Sequence, residues 1–242
     1  MAQIAFDRVS KFYDQEKALH NVSLTFADDV TTAVVGPSGS GKSTLLQVIN
    51  GLVRLSQGSI CVFGKAIDYS RLPKLRRQIG YAVQGTGLFP HLSVEGNITL
   101  LARLAKWDRD RIRARAEELM RLVGLPLEYG RRYPHELSGG QQQRVGLCRA
   151  MILNPRIFLL DEPFGALDAI TRKEIHNEFL RLQHAEARTI VLVTHDLAEA
   201  RKLAQRLVVL ERGRVAQHDK CDEVIGNPAD TFVRDLFQTQ LK

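Results

Sequence analysis

Apolar and polar residues alternate near the start of the chain, a pattern typical of half-buried β-strands. It predicts one strand around residues 4–9 and a second around residues 22–26. A continuous β-branched run at residues 30–35 predicts a third strand that is buried on both faces. This run leads into a glycine-rich loop at 36–43 and then into an apolar-striped helix at 44–49.

The middle of the chain changes from strand spacing to helical spacing. After a short apolar strand at 79–84, Ser93 is a good N-cap for a helix that ends near Leu104. A second helix is predicted over 108–123, where apolar residues recur every three or four positions. Consecutive helices in a chain that otherwise alternates strand and helix predict an inserted helical subdomain, over about residues 88–155.

The last third returns to alternating strands and helices. Strands are predicted at 156–161 and 189–194, helices at 169–186 and 196–203, and a closing hairpin at 207–218. The fold class is therefore α/β, and we expect a single domain that spans residues 1–242. Its core and N-terminal β subdomain would occupy the segments outside the helical insertion, namely 1–87 and 156–242.

Composition is that of an ordinary globular protein and narrows the cellular setting. Apolar residues make up 44% of the chain and charged residues 25%, which is too apolar for a disordered protein. Cys61, Cys148 and Cys221 are far apart and lack C-x-x-C spacing, so a reducing cytosol is favoured over a disulfide framework or a zinc site. We also expect no secretory leader and no membrane-spanning helix, because no apolar run approaches about 18 residues.

The loop that follows the third strand matches G-x-x-x-x-G-K-[ST] in the strand-to-helix context that a phosphate-binding loop requires. Its glycines permit torsions that turn successive N–H groups toward phosphate oxygens at a helix N-terminus. Lys42 can reach the β- and γ-phosphates, and the Ser43 hydroxyl suits the hard cation Mg²⁺. A glycine-rich turn with no ligand is the alternative. The predicted nucleotide-binding residues here are Gly36, Pro37, Ser38, Gly39, Ser40, Gly41, Lys42, Ser43 and Thr44.

Two adjacent carboxylates, Asp161 and Glu162, follow the apolar strand that ends at residue 160. The carboxyl edge of a sheet is where α/β proteins place their ligands, and successive side chains point to opposite faces. Asp161 would hold Mg²⁺, and Glu162 would orient and polarise the attacking water. A surface turn is the alternative for this pair on its own.

The segment Leu137–Gln141 places a serine and two glycines immediately before a helix. This is more than an ordinary N-cap needs, and it predicts a second phosphate-binding helix terminus. Because one nucleotide does not need two such cradles from one chain, we expect the second to serve a neighbouring molecule. The sequence thus indicates a head-to-tail dimer.

The motifs and their order resemble those of the nucleotide-binding subunit of an ABC transporter, over about residues 3–235. The phosphate loop is similar to Walker A, residues 137–141 to the signature, and residues 157–162 to Walker B with its glutamate. The remaining matches are Tyr13 (A-loop), Gln84 (Q-loop), Ala166-Leu167-Asp168 (D-loop) and His195 (switch histidine). The resemblance implies a P-loop NTPase core with an N-terminal antiparallel β subdomain and a helical subdomain that carries the signature.

The resemblance also implies ATP and Mg²⁺ as ligands and a homodimer in the ATP-bound state. Two ATPs would lie between two protomers, each contacted by one Walker A and by the other protomer's signature. Tyr13 would stack on adenine, and Asp168 would contact the partner protomer. Gln84 would sense Mg²⁺ and relay closure to the membrane partner. Three residues would be catalytic (Glu162, His195, Lys42), three would hold the metal (Ser43, Gln84, Asp161) and four would reach across the dimer (Ser138, Gly139, Gly140, Gln141).

Two of these assignments have local alternatives. His195 precedes a helix and could be a solvated cap. Phe12 is a rival to Tyr13 for stacking on adenine, and Tyr13 could be ordinary strand-end packing. We prefer Tyr13 because Lys-x-Tyr is the commoner spacing in the family.

The type of transporter is indicated by the surroundings of the motifs. Residues 161–168, with Phe164, resemble the separate subunits of bacterial uptake systems, and residues 107–115 and 132–144 resemble osmoprotectant importers for glycine betaine, choline or carnitine. A polar amino-acid importer is the nearest rival. A small-molecule kinase and a non-hydrolysing, ATP-gated module outside transport are further alternatives. An importer implies integral membrane permease subunits, an indirect solute-binding protein, and a peripheral location on the cytoplasmic face of the cell (inner) membrane.

The formal net charge of +7 belongs to one stretch of the chain. Residues 71–132 hold 13 basic and 6 acidic side chains, whereas the rest of the chain holds 21 of each. No RNA- or DNA-binding module accompanies the stretch, so we expect no nucleic-acid partner. We interpret part of it as a surface for acidic elements of a membrane partner or for the anionic leaflet, with Arg76, Arg77 and Arg103 as candidates; a solvated helix face is the alternative.

Overall fold

The structure, a computed structural model, describes residues 2–14, 16–85, 87–165, 167–185 and 188–240. The chain divides into two units, one of residues 1–79 and 187–242 and one of residues 80–186. Along the chain the strands and helices are β1 (Ala2–Tyr13), β2 (Glu16–Ala27), β3 (Thr31–Val35), α1 (Lys42–Ile49), β4 (Gln57–Val62), β5 (Lys65–Ala66), α2 (Leu72–Arg76), β6 (Ile79–Ala82), α3 (Val94–Leu104), α4 (Arg109–Leu122), α5 (Gly139–Met151), β7 (Ile157–Asp161), α6 (Ala169–Ala185), β8 (Thr189–Val193), α7 (Leu197–Leu203), β9 (Arg206–Glu211), β10 (Arg214–Lys220), α8 (Cys221–Gly226) and α9 (Thr231–Gln240).

The first unit contains an antiparallel sheet with the strand order β2-β1-β4-β5. In β2 the alternating apolar residues Val22, Leu24 and Phe26 are buried, while the polar residues between them are exposed. The predicted alternation is thus the pattern of a sheet with one face on a core and one in water. β4 and β5 were not predicted.

The first unit also contains parallel strands, because β3 pairs with both β8 and β9, and β10 closes this side as an antiparallel neighbour of β9. Every residue of β3 is buried, as its β-branched run predicted, and every residue of β8 is buried too. Helices α7, α8 and α9 pack against this part of the sheet through Leu197, Val224 and Phe237. Helices α8 and α9, which follow the hairpin of β9 and β10, were not predicted.

The second unit combines strands β6 and β7, which are neighbours, with helices α3, α4 and α5. Ser93 caps α3 by accepting a hydrogen bond from the Gly96 N–H at 3.1 Å, as predicted. Asp108 caps α4 in the same way, so the predicted helix over 108–123 begins one residue later and ends one residue earlier. The apolar stripes of these helices form a core that includes Ile98, Leu119, Met120, Val145 and Cys148.

The α/β fold class is confirmed, whereas the subdomain boundaries at 87/88 and 155/156 stay predictions. The predicted last residue of the long helix, Glu186, lies outside the described residues. Within the described part of the chain, no helix combines the length and apolar character needed to cross a bilayer.

Candidate functional site

The glycine-rich loop connects β3 to α1 in the first unit. Its backbone is in the left-handed half of conformational space at Gly39 (φ 76°) and Gly41 (φ 101°), and α1 begins directly after Gly41. No side chain caps this helix and no acidic residue lies in its first turn. No capping side chain thus competes with an anion for the first N–H groups of α1, and the positive end of the helix dipole favours an anion there.

Two of the loop glycines are required because neighbouring backbone leaves no room for a side chain. A Cβ at Gly36 would lie 2.2 Å from the carbonyl oxygen of Leu210, and one at Gly41 would lie 2.2 Å from that of Ala18. A Cβ at Gly39 would meet no atom within 4 Å. The loop is thus wedged against its own unit at both ends and open at its tip, which fits the approach of phosphate groups to exposed N–H groups.

Lys42 lies across the loop that precedes it. Its side chain is only 8% exposed, and Nζ donates to the carbonyl oxygens of Gly36 at 2.8 Å and Pro37 at 2.7 Å. These two bonds place the ammonium charge over the loop, where it would attract a phosphate group. Ser43 follows on the first turn of α1, where its hydroxyl is half-buried.

His195 lies at the same edge of the parallel strands as the loop. β3 and β8 pair through Val34 and Val193, so the residues after both strands emerge side by side. The Thr194 N–H donates to the Val34 carbonyl at 3.3 Å, and the Thr194 hydroxyl donates to Glu199 at 2.6 Å. Asp196, and not His195, caps α7, so the cap alternative for His195 is not what the structure shows.

Tyr13 is the last residue of β1, and its ring is 43% exposed. The Lys11 ammonium lies 4.7 Å from the centre of the ring, a cation–π contact that adds positive charge beside it. Phe12 points to the other face of the strand, where it lines a groove of about 570 Å³ with Arg8 and Ser10. The two aromatic rings are therefore on opposite faces and cannot share one stacking site.

The second unit brings Gln84, Asp161 and Glu162 to one place. Asp161 ends β7 and is buried, and Glu162 follows it with a φ of 48°. The Gln84 side-chain N–H donates to the Glu162 carboxylate at 3.1 Å. Gln84, which follows β6, and Glu162, which follows β7, were both predicted as site residues, and their side chains are in contact.

The signature segment caps α5 in the second unit. Ser138 accepts a hydrogen bond from the Gln141 N–H at 3.3 Å, and the Gln141 side chain accepts one from the Ser138 N–H at 2.9 Å. Within one chain, Gln141 thus supports the turn at Ser138 through a capping box, and the predicted reach of Gln141 across the dimer stays a prediction. Ser138 and Gly139 are exposed, and a Cβ at Gly139 would meet no atom within 4 Å.

The D-loop prediction falls partly outside the described residues, because Ala166 is not among them. Asp168 accepts a hydrogen bond from the Thr171 N–H at 3.0 Å at the start of α6. This bond and the Thr171 side chain lower the pKa of the Asp168 carboxyl, which is exposed. Within one chain Asp168 is thus a helix cap, and its predicted dimer contact is additional to that role.

Sequence reasoning missed two amides that organise the second unit. Gln143 donates to the Glu162 carbonyl at 2.9 Å. Asn97, which is fully buried, accepts from the Phe89 N–H at 2.8 Å and donates to the carbonyl oxygens of Phe89, Leu92 and Ser93 at 3.0–3.1 Å. In the sequence, Gln143 and Asn97 both look like ordinary polar residues of a helix. Only the burial of a polar side chain among apolar neighbours indicates that it is needed to bind main-chain groups.

Comparisons with known proteins agree with these motifs. Residues 19–165, more than half of the chain, match the family described as ABC transporter. The chain belongs to the ABC transporter family. It is 47% identical over 234 residues to the glycine betaine uptake system ATP-binding protein YehX of Escherichia coli (strain K12), covering 97% of this chain and 76% of that protein. It is 46% identical over 235 residues to the choline transport ATP-binding protein OpuBA of Bacillus subtilis (strain 168), covering 97% of this chain and 62% of that one.

A solved structure of an ABC family member shows the same fold. The dimeric post-hydrolysis structure of the ATP-binding cassette MJ0796, bound to ADP and Pi, matches with a TM-score of 0.85 and 33% identity, over 90% of this chain and 98% of that chain. The predicted P-loop NTPase fold and the binding of ATP by this ABC chain are therefore confirmed. The resemblance to osmoprotectant ATPases is confirmed as a sequence relationship, although the chain spans only about three fifths of the Bacillus subtilis protein.

Proposed function

We propose that this ABC chain is the ATP-hydrolysing subunit that powers solute import across the cytoplasmic membrane. The observation that carries the proposal is the loop between β3 and α1, where Gly36 and Gly41 pack so closely against the backbone of Leu210 and Ala18 that a Cβ would clash, and where no side chain caps the start of α1. Relatives named for glycine betaine uptake and choline transport support a quaternary amine osmoprotectant as the solute. They do not favour the alternatives of a polar amino-acid importer or an ABC module outside transport.

In the first unit, the loop residues Gly36–Thr44 would hold the phosphates of ATP. Backbone N–H groups of the loop and of the first turn of α1 would donate to phosphate oxygens. Lys42 would add a charge to these donors, since its Nζ already lies over the loop. Tyr13 would stack on adenine, because its exposed ring provides an apolar face at the end of β1.

The residues proposed to hold Mg²⁺ are Ser43, Gln84 and Asp161. All three offer oxygen atoms, the ligands that Mg²⁺ prefers, and the Asp161 carboxylate is buried at the end of β7. Few carboxylates are needed, since Mg²⁺ is usually bound by one or two of them together with substrate phosphates and water. When bound, the metal would neutralise charge that develops on the phosphates.

In the second unit, Glu162 would act on the water that attacks the γ-phosphate. Its carboxylate accepts a hydrogen bond from Gln84, which fixes its direction, and a carboxylate is a suitable acceptor for a proton of that water. In the first unit, His195 would hold the γ-phosphate from the end of β8. Hydrolysis of this kind depends on positioning and charge stabilisation more than on covalent chemistry.

The signature residues Ser138, Gly139 and Gly140 would bind the ATP of a second protomer, with Gln141 as their support. Exposure of Ser138 and open space at Gly139 favour contact with a partner molecule. Asp168 would contact that protomer as well. We further propose permease subunits as direct partners and a solute-binding protein as an indirect one, with the chain on the cytoplasmic face of the inner membrane.

The variant Glu162→Gln tests the proposed hydrolysis. It replaces the carboxylate, the proposed base, with an amide of the same size. We therefore expect ATP binding to be unchanged and turnover to fall at least about a hundredfold. The variant should also trap a dimer in ATP, measured by size-exclusion chromatography. Glu118→Gln, on the exposed face of α4, is the matched control. Wild-type turnover in Glu162→Gln would contradict the proposed role.

The proposed import function needs the membrane partners. Co-purification should recover permease subunits, and the associated solute-binding protein should bind glycine betaine, choline or carnitine in calorimetry. Binding of a polar amino acid by that protein, with no affinity for quaternary amines, would contradict the proposed substrate class while leaving the ATPase assignment standing.

A further inference from the structure

The main chain of Glu162 is held in an uncommon conformation. Its φ of 48° lies in the left-handed region, which residues with a side chain seldom adopt. Pro163 follows it and restricts the residue before it still further. A backbone of this kind persists only where surrounding contacts determine it.

Gln143 supplies such a contact from α5. Its side chain is 6% exposed, and Nε2 donates to the main-chain carbonyl of Glu162 at 2.9 Å. Gln84 donates to the carboxylate of the same residue at 3.1 Å. Two amides from different segments therefore hold Glu162, one at the main chain and one at the side chain.

Gln143 belongs to the helix that begins at the signature. Ser138 is the N-cap of α5, five residues earlier and about 7.5 Å away along the helix axis. Because consecutive turns of a helix move together, a displacement of its N-terminal end is carried to Gln143. The neighbouring side chains do not share this role, since Gln142 donates to Pro134 and Leu137, and Arg144 donates to Val123 and Gly124.

We propose that Gln143 is a positioning residue that links the signature helix to the main chain of Glu162. Engagement of Ser138 by a ligand would then act on the direction of the Glu162 carboxylate through one hydrogen bond. This inference rests on the proposed roles of Glu162 and of the signature. By this link, the N-terminal end of α5 would control turnover although Gln143 does not contact the reacting atoms.

The variant Gln143→Met tests the link, because it keeps the length of the side chain and removes its donor. In the full-length chain we expect kcat to fall about tenfold, while KM and the affinity for a fluorescent ATP analogue stay within about twofold of the wild type. Arg144→Met is the matched control, since it removes carbonyl contacts from the same helix that do not involve Glu162. Thermal unfolding is measured for both variants, and Gln143→Glu replaces Gln143→Met if the latter does not fold.

A double-mutant cycle separates positioning from general damage. In the Glu162→Gln background, Gln143→Met should leave the residual rate within about twofold, because the carboxylate that it positions is already absent. Unchanged kcat in Gln143→Met, an equal loss in Arg144→Met, or a tenfold loss in both backgrounds would overturn the inference. Wild-type turnover in Glu162→Gln alone would instead overturn the proposed role of Glu162.

Discussion

The Nζ atom of Lys42 lies 2.8 Å from the carbonyl oxygen of Gly36, so the first residue of α1 is tied to the first residue of its own loop. This bond holds the ammonium group over the loop. It also means that Lys42 contributes to the shape of the loop as well as to its charge.

Replacing Lys42 by alanine should therefore weaken nucleotide binding strongly. A hydrogen bond to a charged group contributes about 1.5–3 kcal/mol, which corresponds to an affinity loss of about 10- to 150-fold. Titration with a fluorescent ATP analogue measures the loss. Lys74→Ala, an exposed lysine of α2, is the control, and equal affinities in the two variants would argue against the proposed phosphate contact.

Gly41 and Gly39 form a second matched pair for substitution by alanine. Both have positive φ, which costs an alanine about 1–2 kcal/mol, but only a Cβ at Gly41 would overlap a backbone oxygen. Gly41→Ala should lose about 3 kcal/mol or more of unfolding free energy, a fall in Tm of roughly 10 °C, together with ATP binding. Gly39→Ala should lose about 1 kcal/mol, and calorimetry that finds equal losses would contradict the packing argument.

Much of the first unit could be predicted because its signals are local. The alternation of Leu24 and Phe26 with polar residues follows from strand geometry, and the glycines of the phosphate loop follow from torsions that only glycine adopts easily. The helices α8 and α9 were not predicted because their apolar residues are few. Val224 and Val233 form part of a core only together with the residues of the sheet against which they pack.

The residues of the candidate site could be predicted from the sequence, but the contacts between them could not. Gln84 and Glu162 were both named from the sequence, but their contact joins residues that are 78 positions apart. Gln143 sits in a run of three glutamines, and no spacing rule distinguishes the one whose amide reaches Glu162. Such choices depend on tertiary packing, which a local pattern does not contain.

In the basic stretch, residues 71–132, Arg76 has a structural role in addition to the one predicted for it. Its guanidinium donates to the carbonyl oxygens of Asn50 and Gly51 at 3.1 and 3.0 Å, so it holds the end of α1 and is not simply a docking charge. Arg76→Glu should therefore cost about 1 kcal/mol or more of unfolding free energy, whereas Arg77→Glu should cost little. Chemical denaturation compares the two neighbours, and an equal cost would remove the assigned structural role.

The charge hypothesis is then tested with Arg77 and Arg103. Reversal of both should weaken assembly with the membrane partner at low salt and have less effect at high salt, because exposed charges are screened. Pull-down of permease subunits across a salt series measures this. If assembly at low salt is unchanged, the charge hypothesis is contradicted, and the alternative of a solvated helix face is favoured.

Cys148 provides a test of the core of the second unit. The thiol is fully buried between α5 and the end of α4, where Sγ donates to the Leu119 carbonyl at 3.4 Å. Burial raises the pKa of the Cys148 thiol to about 12, so the thiolate that reacts with a disulfide reagent is only about one part in ten thousand at pH 8.

Labelling of the native chain with such a reagent at pH 8 should therefore begin at Cys61, which is partly exposed. Cys148 should react only when the unit opens, at a rate that rises with added denaturant. The variant Cys61→Ala is the control, because it should abolish the fast phase and leave the slow phase unchanged. Fast labelling of Cys148 in that variant, located by mass spectrometry, would show that α4 and α5 do not enclose the thiol as described.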